Sequence, residues 1–280
     1  MFWKSTYNEF IKIFTKPRSY IGLAAITALV SVILFAMFAN GRGYISFITA
    51  SFEQTLVFRG NVLNGNLVAF IILQTLIVQV PLLVALVTGD LVSGEAAMGS
   101  LRMLATKPVS RSQLLLSKFE AGNLYTLLIL VWLGVMALGL GRLMFGTGDL
   151  MILKSEGLVI LQSTDVLWRF AGGFVIAYLA LVTIATLSVT LSCFTDNSIG
   201  PIVTTMAIII LFTIIGTLDV PVFDHIRPWL FTTHMAAWRS FFEDPVPTGR
   251  ILHSAGVLVA HIAGLLAIAF IKFTKKDILS

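Results

Sequence analysis

The sequence predicts an all-α integral membrane protein with six transmembrane helices, and three observations predict it. The 280 residues are 57% hydrophobic and only 12% charged, with a mean hydropathy of +0.94, whereas a soluble domain is about 25% charged. Six windows hold no Asp, Glu, Lys or Arg: 19–41, 60–89, 121–141, 170–195, 197–218 and 251–271. Each is long enough to cross the hydrocarbon core, which takes about 20 helical residues. The runs do not alternate polar with apolar residues, as strands of a membrane barrel would, and open strands in lipid would leave backbone groups unpaired. One transmembrane domain over 1–280 is expected, with spans near 20–40, 66–89, 121–141, 170–194, 199–218 and 251–271.

Residues 3–16 read as an amphipathic helix in the membrane interface. Trp3, Tyr7, Phe10, Ile11 and Phe14 share one face, while Lys4, Asn8, Glu9, Lys12, Thr15 and Lys16 fall elsewhere. A basic helix with an aromatic edge lies at the headgroup boundary. Pro17 ends it and the first span follows. That span exceeds a signal-peptide core in length and no A-x-A follows it, so it is expected to remain.

The net charge is +5. In a soluble chain such a balance would suggest nucleic acid; in a membrane chain it reflects loops rich in Lys and Arg on the cytoplasmic side. No nucleic-acid partner is expected. Lys and Arg are densest in residues 1–18, 90–120 and the C-terminal tail, which predicts both termini and the 90–120 connector in the cytoplasm of a cell with the chain in its inner membrane. Residues 42–59, 142–169 and 219–250 are then external. The last of these holds four prolines around the apolar, aromatic run PWLFTTHMAAWRSFF. It is too apolar for a free loop and too short for a span, and reads as short re-entrant helices, backbone that membranes tolerate only under protein or water cover.

The most polar connector is residues 90–118, DLVSGEAAMGSLRMLATKPVSRSQLLLSK. Gly94 and Gly99 break the second span's helix. Ser100 can cap a short helix over residues 101–105 with Leu101 and Leu104 on one face, and Pro108 ends it. Ser110 and Gln113 have capping-box spacing and start the next long helix. The spacing thus predicts a short helix across the cytoplasmic face.

These residues carry a resemblance. Asp90, Ser93-Gly94-Glu95, Gly99-Ser100-Leu101, Pro108-Val109-Ser110-Arg111 and Lys118 stand in the order and spacing of the cytoplasmic loop of type-2 ABC exporter permeases. Where that pattern often carries charges after the Glu, this chain has Ala96 and Ala97. The motif covers about 30 residues; an N-terminal interfacial helix and a helical external insert before the last span extend the likeness to the whole architecture. The resemblance implies a permease subunit of an ABC transporter, working as a dimer with a second copy or a paralogous permease, and with two copies of an ABC ATPase subunit. The coupling residues it implies are Asp90, Ser93, Gly94, Glu95, Gly99, Ser100, Leu101, Leu104, Pro108 and Arg111. It also implies that no catalysis or cofactor belongs to this chain, ATP and Mg²⁺ being bound by the ATPase. In keeping, no G-x-x-x-x-G-K-[ST] loop occurs in the sequence.

Polar residues inside spans are candidates for a translocation path. Gln74 and Gln79 lie in span 2, where amides also join helices, and His261 lies near the middle of span 6. Thr183, Thr186 and Thr190 share one face of span 4, where back-bonding to the helix is the plainer expectation. Gly256, Ala260 and Gly264 form a small-residue stripe expected to pack inside the bundle. Cys193 reads as an ordinary helix residue. A metal site from His225, His234 and the nearby carboxylates matches no ligand spacing. Two other readings stay open: a membrane enzyme using His225, His234 and His261, and a secondary transporter, against which the charge-free spans weigh.

Overall fold

A computed structural model describes residues 2–49, 62–76, 78–100, 110–154 and 157–276. The described residues are 81% helical. Helix α1 (Phe2–Thr15) runs into α2 (Pro17–Thr49); Pro17 opens α2 at the position where its missing N–H costs nothing. Next come α3 (Gly65–Thr75), α4 (Gln79–Thr88), α5 (Ser93–Ala97) and α6 (Arg111–Gly134). A π-helical turn, Val135–Leu140, continues α6 into α7 (Gly141–Phe145). An antiparallel hairpin, β1 (Leu150–Lys154) and β2 (Gly157–Leu161), precedes α8 (Ser163–Ser192) and α9 (Ile199–Thr217). After 3₁₀ turns at Pro221–Phe223 and Arg227–Trp229 come α10 (Phe231–Met235), a 3₁₀ segment at Ala236–Phe242 and α11 (Thr248–Lys275).

Among the described residues five helices are long and apolar enough to cross a membrane: Pro17–Gly41 of α2, Arg111–Phe145, α8, α9 and α11. The chain is a multi-pass, membrane-embedded protein. Helix α8 is the most buried of the five and packs against α4, α6, α9 and α11. It forms the axis around which the others stand.

Three expectations change, and one loop gains structure. Span 2 is not continuous: α3 and α4 meet at a bend of 56°. Apolar composition predicts burial of a segment but not its straightness, and Pro81 stands in the first turn of α4. The all-α class holds, but the loop between α7 and α8 carries one small hairpin, LMILK and GLVIL pairing in register from Leu150↔Leu161 to Lys154↔Gly157. Leu150, Ile152 and Leu161 are buried on one face of the hairpin, so its stability comes from the bundle beneath it; two strands alone would be marginal. The long helices also outrun the apolar windows. Helix α6 starts at Arg111, as the capping spacing predicts, with the Ser110 side chain accepting from the Gln113 amide at 3.2 Å, whereas α8 starts at Ser163 rather than near 170. Finally, the stripe Gly256, Ala260 and Gly264 is exposed, and a Cβ on either glycine would meet no neighbour within 4 Å. The inward face of α11 is instead Ile251, Ser254, Leu258, Ala269 and Phe273.

The helical insert before the last span is present as expected. Phe231, Met235, Trp238 and Phe242 are buried, and Phe242 makes edge contacts with Phe70 at 5.0 Å and Phe170 at 4.8 Å.

Candidate functional site

The polar connector is where the candidate site lies, and α1 is its other wall. Helix α1 packs along the first turns of α6. Its buried face is Thr6, Glu9 and Ile13, while Trp3, Tyr7 and Ile11 are exposed and Phe10 and Phe14 half-buried. The aromatic edge therefore faces outward, as an interfacial helix requires, and the charged face turns in. Glu9, Lys12 and Lys16 recur at helical spacing on that face. The elbow after α1 is pinned by Ser19, whose hydroxyl donates to the Ile13 carbonyl, and by the Tyr125 hydroxyl of α6, which donates to the Ser19 carbonyl at 3.0 Å.

Two ion clusters join α1 to the connector. In the first, Lys118 is buried with its Nζ 2.7 Å from Glu9 Oε2 and 2.6 Å from Glu95 Oε2. Lys12 closes the ring, 2.6 Å from Glu9 Oε1 and 3.0 Å from Glu95 Oε1. Two carboxylates and two ammonium groups thus neutralise one another. In the second, Asp90 takes Lys16 at 2.7 Å and Arg18 at 3.0 Å, one on each carboxylate oxygen. Burial pushes the Glu9 carboxyl up, but Lys118 and Lys12 outweigh it and its pKa lies below the ordinary value. Burial likewise depresses Lys12, yet Glu9 and Glu95 leave it raised. Removing one partner of such a buried cluster leaves an uncompensated charge, which costs about 3–5 kcal/mol.

The connector is held from the other side by hydroxyls. Ser192, at the end of α8, accepts from the Ser93 amide at 2.8 Å, and its hydroxyl bonds that of Ser93 at 3.0 Å. Ser188 donates to the Ala85 carbonyl at 3.2 Å. Gly94 sits against Asp90 so closely that a Cβ would collide with the carboxylate. Gly99 has φ +69°, the left-handed region that glycine enters without strain. The Ser100 hydroxyl donates to the Glu95 carbonyl at 3.2 Å. Past the connector, Arg111 Nη1 donates to the carbonyls of Thr274 and Lys276, at 3.0 and 2.7 Å, and so ties the start of α6 to the end of α11. Leu101, Leu104 and Pro108, and the short helix expected over 101–105, lie outside the described residues.

So Asp90, Ser93, Gly94 and Glu95 come together as buried groups clasping α1, α6 and α8, while Gly99, Ser100 and Arg111 flank them. Sequence reasoning missed the partners Glu9, Lys12, Lys16, Arg18 and Ser192. The signal for the first three was their helical spacing opposite the aromatic edge; nothing local points Ser192 at Ser93. A cavity of about 400 Å³ remains between α1 and α4–α5, with the acids on its floor.

The other candidates lie apart. Gln74, Thr75, Val78 and Gln79 are all exposed and flank the α3–α4 bend. Backbone at a helix break needs cover by protein or water at membrane depth. His261 is half-buried, with Nδ1 2.8 Å from the Val257 carbonyl of its own helix and its ring against Phe231. His234 is buried with Nδ1 3.0 Å from Ser254 and Nε2 2.8 Å from the Pro228 carbonyl, and His225 is exposed. Thr183, Thr186 and Thr190 bond back to the carbonyls of Leu179, Val182 and Thr186, and Thr190 also reaches Leu265 of α11. Among the described residues no cluster of three or more metal-ligating groups occurs.

A family model described as a protein of unknown function (DUF2705) matches residues 23–279. No curated protein matches the chain. The match covers most of the sequence, and the chain belongs to the DUF2705 family.

Proposed function

We propose that this DUF2705 chain is the membrane subunit of an ATP-driven exporter of the type-2 ABC class, energised by two copies of a separate ATPase subunit and paired with a second permease. The observation that carries the reading is the anchoring of the connector. A load applied to residues 101–109 reaches α1 through Glu95–Lys118–Glu9, α8 through Ser93–Ser192 and α11 through Arg111. A partner pressing on that loop would therefore move three elements at once, which is what a coupling element has to do.

The bend of span 2 supports the transport half of the reading. Gln74, Thr75 and Gln79 present amides and a hydroxyl on the outer side of the chain, and exposed polar groups at a helix break suit a path shared with a second permease. Six spans, with α3 and α4 together as one, put both termini on the side of the connector.

The decisive experiment is Leu101→Asp with Leu104→Asp, followed by co-purification of the ATPase and assay of export. An apolar residue buried in the ATPase groove is worth about 1.5–3 kcal/mol, and a carboxylate there adds a desolvation cost. Loss of the ATPase with unchanged membrane yield is expected; retention of both the ATPase and export would sink the proposal. Topology is tested by Lys107→Cys and Asp219→Cys in a Cys193→Ala background. Asp219 is fully exposed, and the two cysteines should label from opposite sides of the membrane.

A further inference from the structure

We infer that the cavity between α1 and α4–α5 is a seat for the headgroup of an anionic phospholipid, whose phosphate Lys16 and Arg18 would bind together. Four cations stand around this cavity, Lys12, Lys16, Arg18 and Lys118, against three carboxylates, Glu9, Asp90 and Glu95. One positive charge is in excess. The carboxylates and Lys118 are the buried members, with side chains 1–9% exposed; Lys12, 43% exposed, is taken by Glu9 and Glu95, and Lys16 and Arg18 stand at the rim, 33% and 41% exposed. Both rim cations share the single carboxylate of Asp90, and among the described residues Arg18 is paired only through Nη1. Its remaining guanidinium nitrogens offer the planar fork that matches phosphate oxygens.

The surroundings select a lipid over a soluble anion. Ile13, Leu86, Val87, Leu91 and Met98 line the same cavity and give it an apolar wall beside its charged rim. Trp3, Tyr7 and Tyr20 are exposed on the neighbouring faces of α1 and α2. Exposed aromatics beside basic residues mark the headgroup level of a membrane. A phosphate with an attached acyl chain would satisfy both the rim and the wall; a free phosphate would use only the rim. The cavity volume of about 400 Å³ falls within the usual range for small-molecule sites. This seat does not depend on the ATPase reading.

The test is native mass spectrometry of the full chain, with phosphatidylglycerol titrated against phosphatidylcholine of the same chain length. Two surface cations near a membrane imply about a thirtyfold preference for the anionic lipid. Lys16→Gln with Arg18→Gln should remove that preference, and Lys4→Gln, at an exposed cation of α1 away from the cavity, should keep it. Should the double variant fail to fold, Arg18→Gln alone leaves the Lys16–Asp90 pair in place and should still lower the preference severalfold. Equal retention of the two lipids by the unaltered protein, or an undiminished preference in Arg18→Gln, would overturn the seat. Displacement of the bound lipid by millimolar inorganic phosphate would assign the site to a soluble anion and reject the lipid.

Discussion

The two ends of the bundle are held by opposite physics. At one end, α1 and the connector meet through Lys118, Glu9, Glu95 and Lys12, all within 3.0 Å of a partner. At the other, the insert before α11 is fixed by rings: Phe242 between Phe70 and Phe170, with Trp238 5.8 Å from Phe70. Ion pairs are directional and can exchange partners when another charge arrives, whereas an interlocked aromatic cluster resists any displacement. The difference teaches which end is built to respond. A force or charge delivered to the connector meets replaceable bonds; the opposite end offers a rigid abutment.

Breaking each end in turn should show the contrast. Lys118→Ala leaves the Glu9 and Glu95 carboxylates without their buried cation, and should lower stability by about 3–5 kcal/mol, read as thermal unfolding in detergent. Adding Glu9→Gln and Glu95→Gln should recover most of that loss, since the cost is uncompensated charge. Phe242→Ala opens a cavity at the aromatic end and should cost a similar amount, about 3–5 kcal/mol, with no rescue by any change of charge. A Lys118→Ala loss that the two glutamines do not recover would show that packing, not charge, holds the connector.

A smaller effect is expected from Gly94→Ala. The added methyl meets the Asp90 carboxylate and must push it off Lys16 or Arg18, at about 1–3 kcal/mol. Its signature is local: α1 should become more accessible to protease while the aromatic end stays protected. Uniform protection would mean that Asp90 repacks without loosening the clasp.

The smallest effect is that of pH near neutrality. The folded pKa of Glu9 lies below its ordinary value, so its contribution is complete above that value and is lost as pH falls through the folded one. That of Lys12 is raised, so its contribution is complete below the ordinary lysine value and is lost only as pH rises through the folded one. Spin labels at exposed positions 4 and 112 should hold a constant distance between about pH 6 and 9 and separate at strongly acid pH. Separation near neutrality would contradict the assigned directions. At the aromatic end Arg169 pairs with Asp165, a carboxylate that is ionised throughout the same range, so that end too should hold unchanged.

Composition and the charge-free windows were enough to determine a helical membrane chain, because satisfying backbone groups in lipid leaves few alternatives. Local rules also placed the Ser110 cap, the proline-bounded helices of residues 219–250 and the back-bonded threonines of α8. The apolar windows missed the length of α6, since buried Lys118 is charged yet lies inside the helix, paired. They missed the hairpin too, whose short strands hold only where the bundle covers Leu150 and Leu161. The site divides in the same way. Motif spacing picked out Asp90, Ser93, Gly94 and Glu95, but not what they touch. That α1 turns Glu9 inward and its tryptophan outward, that Ser192 meets Ser93 across 99 positions of chain, and that the small-residue stripe of α11 faces away from the bundle were decided only by the tertiary structure. Helical periodicity tells which residues share a face; it does not tell which face the neighbouring helices will cover.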